Sequence, residues 1–171
     1  DCLLSRGLGD VYKRQTGNYV SHLAEICGQS VFQWREAVMY YENRCLKHEL
    51  EEGEDLFRGV DQAGVDAAAD ALRDIYKKLL ESTQAMPETK KQMQLLSVTL
   101  QGIGIWNAVG LLTESMEKTG SFDMQKGLEL AEKLECWFMA YKENWRATSK
   151  EGDLHHIAEI VFWYADWMRR K

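Results

Sequence analysis

The chain has 171 residues, of which 45% are hydrophobic and 28% charged, so it has the length of one domain and enough apolar side chains for a packed core. Its formal net charge of -6 repels a phosphate backbone and no basic stripe counters it, so we expect no nucleic-acid partner. No run approaches about 18 consecutive apolar residues, so we expect no membrane partner.

The N-terminal segment differs in character from the rest of the chain. Ser5–Gln15 can be back-translated into a string that resembles a transposase sequencing adapter. We therefore expect residues 1–15 to be adapter-derived and to add nothing to the fold. Residues 16–171 are then a helical domain with a net charge of -7, and we expect it to be the C-terminal fragment of a longer protein. A signal peptide would lie in the lost part, so secretion stays open.

Three cysteines follow that segment: Cys27, Cys45 and Cys136. They are odd in number, widely spaced and flanked by apolar or aromatic residues, and no C-x-x-C pair occurs. We therefore predict buried, reduced thiols, and neither a disulfide framework nor a zinc site. Unpaired cysteines favour a cytoplasmic location, although the sequence does not settle the compartment.

Apolar residues recur at three- and four-residue steps over most of the chain, as they do in amphipathic helices. This pattern predicts one long helix over residues 18–50, and a second from Asp61 or Asp66 to about Glu81 that begins with an aspartate cap. The acidic residues between the two helices are more simply a solvated turn than general acids: Glu51, Glu52, Glu54 and Asp55.

Pro87 suits the first turn of a third helix, which we expect to end near Lys118. Glycine costs about 1 kcal/mol inside a helix, so the glycines in its apolar middle predict close helix packing or a kink. These are Gly102, Gly104 and Gly110.

Two further helices complete the predicted arrangement. Gly120 ends the third helix, and Ser121 and Asp123 cap a fourth that runs to about Ala147. The caps of the fifth helix, which runs to the C-terminus, are Ser149, Glu151 and Asp153. No segment alternates with the period of two typical of strands, so we predict an all-α, antiparallel bundle of about five helices.

Two sets of histidine and carboxylate could hold a metal if they faced each other: His22 with Glu25, and His155 and His156 with Glu159. Di-iron bundles use E-x-x-H on two helices and two further glutamates. The order here is reversed, so surface histidines are the preferred interpretation, and we predict no metal and no cofactor. No nucleophile elbow, phosphate loop or H-E-x-x-H motif occurs, so we predict no catalytic residue.

The preferred interpretation of the six tryptophans is that they fill helix interfaces, and a ligand platform is the alternative. They are Trp34, Trp106, Trp137, Trp145, Trp163 and Trp167. We expect Trp163 and Trp167, one turn apart, to form an exposed pair that docks on a neighbouring domain. Trp145 is a third candidate for docking or ligand binding, and we expect Arg146 beside it to reach an acidic group such as Glu151.

The C-terminal stretch resembles part of a known family. An aromatic helix ends in Y-K-x-x-W-R at residues 141–146, S-K-E follows at 149–151, and the last helix closes in Y-A-D-W-M-R at 164–169. This pattern resembles the helical region after the catalytic barrel in bacterial glycoside hydrolases of the family 20 β-N-acetylhexosaminidase type. The similarity covers residues 86 onward and consists of packing and capping motifs.

The resemblance implies a role without catalytic residues. In that family the catalytic Asp-Glu pair and the sugar-binding tryptophans lie on the barrel, and the acetamido group of the substrate is the nucleophile. None of those motifs is matched here. The implied role is a non-catalytic helical region that packs on or supports a missing upstream catalytic domain or forms a homo-oligomer. The alternative is a stand-alone helical module that binds another protein.

Overall fold

The computed structural model describes residues 17–25, 32–46, 56–83, 90–148 and 152–170. In these ranges every regular element is an α-helix and there is no strand, which confirms the predicted all-α class. Consecutive helices from α3 to α6 pack on each other as the predicted bundle requires. The six helices are α1 (residues 17–25), α2 (Trp34–Leu46), α3 (Gln62–Thr83), α4 (Lys90–Thr119), α5 (Met124–Thr148) and α6 (Leu154–Arg170).

The long helix predicted over residues 18–50 is wrong, because the chain leaves the helical conformation at Phe32 and Gln33 before α2 begins. Phe32 is fully buried, and its backbone N–H donates to Oδ1 of Asn107 on α4 at 3.1 Å. Gln33 then caps α2, since its N–H donates to the Glu36 carboxylate at 3.0 Å and its C=O accepts from Ala37. Two helices, α1 and α2, therefore lie within the range predicted as one.

Three local signals at other described helix ends are confirmed. Ser121, predicted as a second cap of the fourth helix, does not cap it, because its carbonyl accepts from the Ser115 hydroxyl at 2.8 Å. Oδ1 of Asp61 accepts the Gly64 N–H at 2.6 Å, so the aspartate cap starts α3. Oδ1 of Asp123 accepts the N–H groups of Gln125 and Lys126 at 3.0 and 3.2 Å, so it caps α5. Gly120 follows α4 with a positive φ of 73°, the left-handed conformation that glycine adopts without strain.

The 30-residue helix α4 spans about 45 Å and connects two apolar clusters. Its first half packs with α1 and α3 around four buried side chains, Leu23, Leu72, Ile75 and Leu79. Its second half enters the larger core, which α2, α5, α6 and the 56–60 segment complete. Helix α4 therefore links the two clusters.

Helix α4 is also the one described helix long and apolar enough to cross a membrane by length and composition. The central helix of a folded bundle passes the same test, and α4 contacts α2, α3 and α5. The expectation that the chain has no membrane partner stays a prediction.

Several expectations concern residues outside the described ranges. They are the adapter-derived segment 1–15, the acidic turn at 51–55, the Pro87 helix start, the caps at Ser149 and Glu151, and the burial of Cys27. The other two cysteines, Cys45 and Cys136, are free but exposed, so their predicted burial is wrong. Cys136 lies between the buried Leu134 and Phe138 in sequence, on a part of the α5 surface that faces solvent.

Candidate functional site

An open cleft lies where the start of α2, the middle of α4, α5 and the start of α6 meet. We call it the aromatic cleft, and its volume is about 290 Å³. Three tryptophans line it, and most of its accessible surface is apolar. The lining residues are Phe32, Gln33, Trp34, Thr99, Gly102, Ile103, Trp106, Trp137, Tyr141 and Ile157.

The three indoles of the aromatic cleft support one another. Trp106 is buried and meets Trp34 edge-on, with ring centroids 5.3 Å apart, and it meets Trp137 edge-on at 6.2 Å. The Nε1–H of Trp137 donates to the backbone carbonyl of Val98 on α4 at 2.8 Å. This bond fixes the plane of the indole and satisfies its one polar atom, so a rigid wall results.

The rim of the aromatic cleft leaves apolar surface accessible. Trp34, Ile103, Tyr141 and Ile157 are only half-buried although their side chains are largely apolar. Thr99 lies at the rim on the exposed side of α4, where its hydroxyl donates to the Leu95 carbonyl at 3.2 Å. Because that proton is engaged, the hydroxyl oxygen is an acceptor on the cleft side.

The described lining of the aromatic cleft carries no formal charge at neutral pH. Among its lining residues in the described part of the chain, Tyr141 alone is ionisable, and no Asp, Glu, Lys, Arg or His takes part. Burial raises the pKa of the Tyr141 phenol above its ordinary value of 10, so the ring stays neutral. An uncharged surface of this kind favours an uncharged ligand.

A second aromatic surface runs along α6, and we call it the aromatic stripe. It consists of Tyr41, Phe122, Trp163 and Trp167. Trp163 and Trp167 stack with centroids 6.3 Å apart and planes 11° from parallel. Tyr41 meets Trp163 edge-on at 5.4 Å, and Phe122 contacts Trp167 at 5.2 Å. Both indoles are half-buried, so part of each ring reaches solvent.

One end of the aromatic stripe carries a polar pair. The Tyr41 hydroxyl donates to Oε1 of Glu159 at 2.8 Å. Ionising the phenol would break this bond and place two negative charges together, so the bond to Glu159, together with burial, raises the pKa of Tyr41 to about 12. At neutral pH the phenol is a hydrogen-bond donor and the carboxylate its acceptor.

The three tryptophans singled out from the sequence lie at two places. Trp163 and Trp167 share the aromatic stripe, and they are half-buried where an exposed pair was expected. Trp145 lies beyond the aromatic cleft near the end of α5, half-buried, with its ring 5.8 Å from that of Tyr141. Arg146 lies 3.9 Å from the Glu143 carboxylate, whereas the proposed partner Glu151 is outside the described ranges.

The histidine and carboxylate pairs are local to their own helices. His22 Nδ1 lies 3.4 Å from Glu25 on α1, and His156 Nδ1 lies 3.7 Å from Glu159 on α6. His155 Nδ1 lies 3.1 Å from the Gly152 carbonyl. In the ranges described, no three His, Cys, Asp or Glu side chains approach closely enough to hold a metal ion.

Sequence reasoning missed Phe32, Thr99 and Asn107 as parts of the aromatic cleft and its support. Asn107 could have been recognised from the sequence, because a lone amide in the apolar middle of a helix needs a buried hydrogen-bond partner. Phe32 carried a weaker signal, since Gly28 and Ser30 before it are residue types that favour turns. Thr99 carried none.

Comparisons of this chain with protein-family models, with curated proteins and with solved structures gave no match.

Proposed function

We propose that this chain is a non-catalytic helical domain that docks on another protein surface through its aromatic stripe. The observation that carries the proposal is the stacked pair Trp163 and Trp167. Neighbouring aromatic rings support this pair, and part of each indole still reaches solvent. Tryptophan and tyrosine are enriched in the energetically dominant positions of protein interfaces.

The rigidity of the aromatic stripe supports a docking role. Tyr40 meets Trp163 and Trp167 edge-on at 6.2 Å, and Tyr164 meets Trp163 at 5.0 Å. Tyr164 is itself fully buried and donates to the Ala37 carbonyl at 2.8 Å, which ties α6 to α2. Rings held this way lose little conformational entropy when a partner covers them.

We base the identity of the partner on the resemblance of residues 86 onward to the helical region of that family. On that basis the aromatic stripe contacts the catalytic barrel of a glycoside hydrolase of the β-N-acetylhexosaminidase type, encoded upstream in the same reading frame. The helices that carry the resembling motifs, α5 and α6, also carry Trp167, Trp163 and their neighbours. In this proposal the barrel supplies the catalytic carboxylates and the helical domain stabilises it.

A stand-alone interaction module is the second candidate, and a separate observation favours it. Met139 on α5 is 52% exposed and Phe162 on α6 is 45% exposed, and both are large apolar side chains outside the aromatic stripe. The Phe162 ring contacts Phe138 edge-on at 5.8 Å, so it is supported from α5. Apolar surface on more than one side of α6 suits a module with several partners, including a second copy.

The first experiment is to assemble independent reads upstream of codon 16. A barrel with an Asp-Glu pair in the assembled sequence supports the glycoside hydrolase proposal. A reading frame without such a barrel contradicts it and favours the stand-alone module. The separately expressed barrel and this chain are then titrated against each other by calorimetry.

Trp167→Leu keeps apolar contact with Tyr164 but removes the outer indole ring, so we expect it to weaken binding at least tenfold. Phe162→Leu is the matched control on the same helix, and we expect it to bind as the wild type does. Equal binding by both variants would show that the aromatic stripe is not the docking surface.

A further inference from the structure

The aromatic cleft is separate from the aromatic stripe used in the proposed docking, and its own features specify a ligand. Its lining is preformed because Trp137 is held by its bond to Val98, and Trp106 is buried between Trp34 and Trp137. A cleft of fixed walls loses little free energy to reorganisation when it is filled.

The volume of the aromatic cleft sets the size of its occupant. A closed apolar cavity of about 150 Å³ holds one benzene ring. The aromatic cleft measures about 290 Å³, so it has room for two fused rings. Indole, phenyl and phenol rings line the cleft, and aromatic side chains favour a flat aromatic occupant through stacked or edge-on contacts.

The polarity of the aromatic cleft sets the chemistry of its occupant. None of the lining residues that the structure describes carries a formal charge at neutral pH, so a charged ligand would lose hydration there without gaining an ion pair from them. The oxygen of Thr99 accepts at the rim because its own proton is donated to Leu95. On a flat aromatic ligand, a ring N–H can donate to this acceptor.

We propose that the aromatic cleft binds an uncharged bicyclic aromatic molecule of the indole class, with its ring N–H directed to Thr99. This inference does not depend on the docking proposal, because the cleft and the aromatic stripe share no residue. Indole itself is the probe, and the full chain is used.

The primary measurement is the indole N–H region of the ¹H–¹⁵N spectrum, where each tryptophan contributes one signal. We expect saturable shifts for Trp34, Trp106 and Trp137 as indole is added, with Trp163 and Trp167 unchanged. No saturable shift, or shifts spread equally over all six signals, overturns the proposal.

Two comparisons test the location and the charge requirement. Thr99→Phe fills the mouth of the cleft at an exposed position, and we expect at least a tenfold loss of indole affinity in calorimetry. Thr119→Phe is the matched control, because Thr119 is an exposed threonine on α4 whose hydroxyl also donates four residues back, to Ser115 at 2.8 Å. We expect it to bind indole as the wild type does.

Indole-3-acetate provides the charge comparison, because it adds a carboxylate to the same ring. We expect it to bind at least tenfold more weakly than indole. Equal affinity for the two compounds would contradict the proposed preference for an uncharged ligand. Undiminished binding of indole by Thr99→Phe would show that the site lies elsewhere. Because the shift pattern is read on the wild type, the proposal stays testable if Thr99→Phe fails to fold.

Discussion

Gly102 on α4 lies directly against the indole of Trp137 on α5. A Cβ atom at this glycine would lie 2.6 Å from Cζ2 and 2.7 Å from Cε2 of the indole, closer than folded proteins allow. The absent side chain therefore lets the two helices approach and lets Nε1–H reach the Val98 carbonyl. The close packing predicted from the glycines of this helix is confirmed at Gly102.

Gly102→Ala should destabilise the fold by about 1 to 3 kcal/mol, because the added methyl group must displace the Trp137 ring and weaken its bond to Val98. Denaturant unfolding monitored by circular dichroism measures the change. Gly104→Ala is the control on the same helix, since a Cβ atom at Gly104 meets nothing within 4 Å. The free energy of unfolding of the control should rise by about 0.5 to 1 kcal/mol, because alanine has a higher helix propensity than glycine. Equal effects at the two glycines would contradict close packing at Gly102.

The sequence could predict the features that local chemistry determines. Asp61, Asp123 and Gly120 act on backbone groups within a few residues, so their types and positions were sufficient to place helix ends. The exposure of Cys45 and Cys136 could not be predicted, because it depends on which part of each helix surface the neighbouring helices cover.

The break before α2 and the aromatic cleft depend on contacts distant in sequence. Phe32 and Asn107 are 75 residues apart, and their hydrogen bond joins the non-helical residues before α2 to the middle of α4. Gly110 opposite Phe32 has no room for a Cβ atom, which would lie 2.6 Å from the phenylalanine side chain. Apolar spacing of three and four continues across the break, so periodicity alone cannot show it. The meeting of Trp34 with Trp106 follows from that break.

Trp145→Ala should cost more stability than Arg146→Ala. Trp145 is half-buried against Tyr141, so we expect a loss of about 2 kcal/mol, below the 3 to 5 kcal/mol typical of a fully buried tryptophan. The Arg146 pair with Glu143 is exposed and adds at most about 1 kcal/mol. Denaturant titrations of both variants measure the difference. A larger loss for Arg146→Ala would contradict the packing role of this corner.

Arg169→Gln should reduce stability in a pH-dependent way. Arg169 donates two hydrogen bonds of 2.6 Å to the Glu135 carboxylate, and these bonds lower the pKa of Glu135 below its ordinary 4.5. The stabilisation is therefore present above pH 4.5 and is lost as the pH falls through the lowered pKa. Because both side chains are about one-third exposed, we expect at most about 1 kcal/mol at pH 7.

The measurement for that pair is the free energy of unfolding from pH 2 to pH 7. The difference between the wild type and Arg169→Gln should shrink as the solution becomes acidic. Arg170→Gln is the control, since Arg170 pairs with Asp166 by one 3.2 Å contact and both side chains are largely exposed. A constant difference across the pH range would show that Arg169 stabilises the fold by packing and not by charge.

Glu159→Gln should lower the pKa of Tyr41 from about 12 toward 10, because the bond to the carboxylate is the largest cause of the shift. Burial also raises this pKa, so the return should be partial. The folded pKa exceeds the unfolded value near 10, so the stabilisation is complete below pH 10 and is lost as the pH rises through about 12. Phenolate absorbance, read as the difference between each protein and its Tyr41→Phe partner, measures the pKa. An unchanged midpoint in Glu159→Gln would mean that burial alone holds the Tyr41 proton.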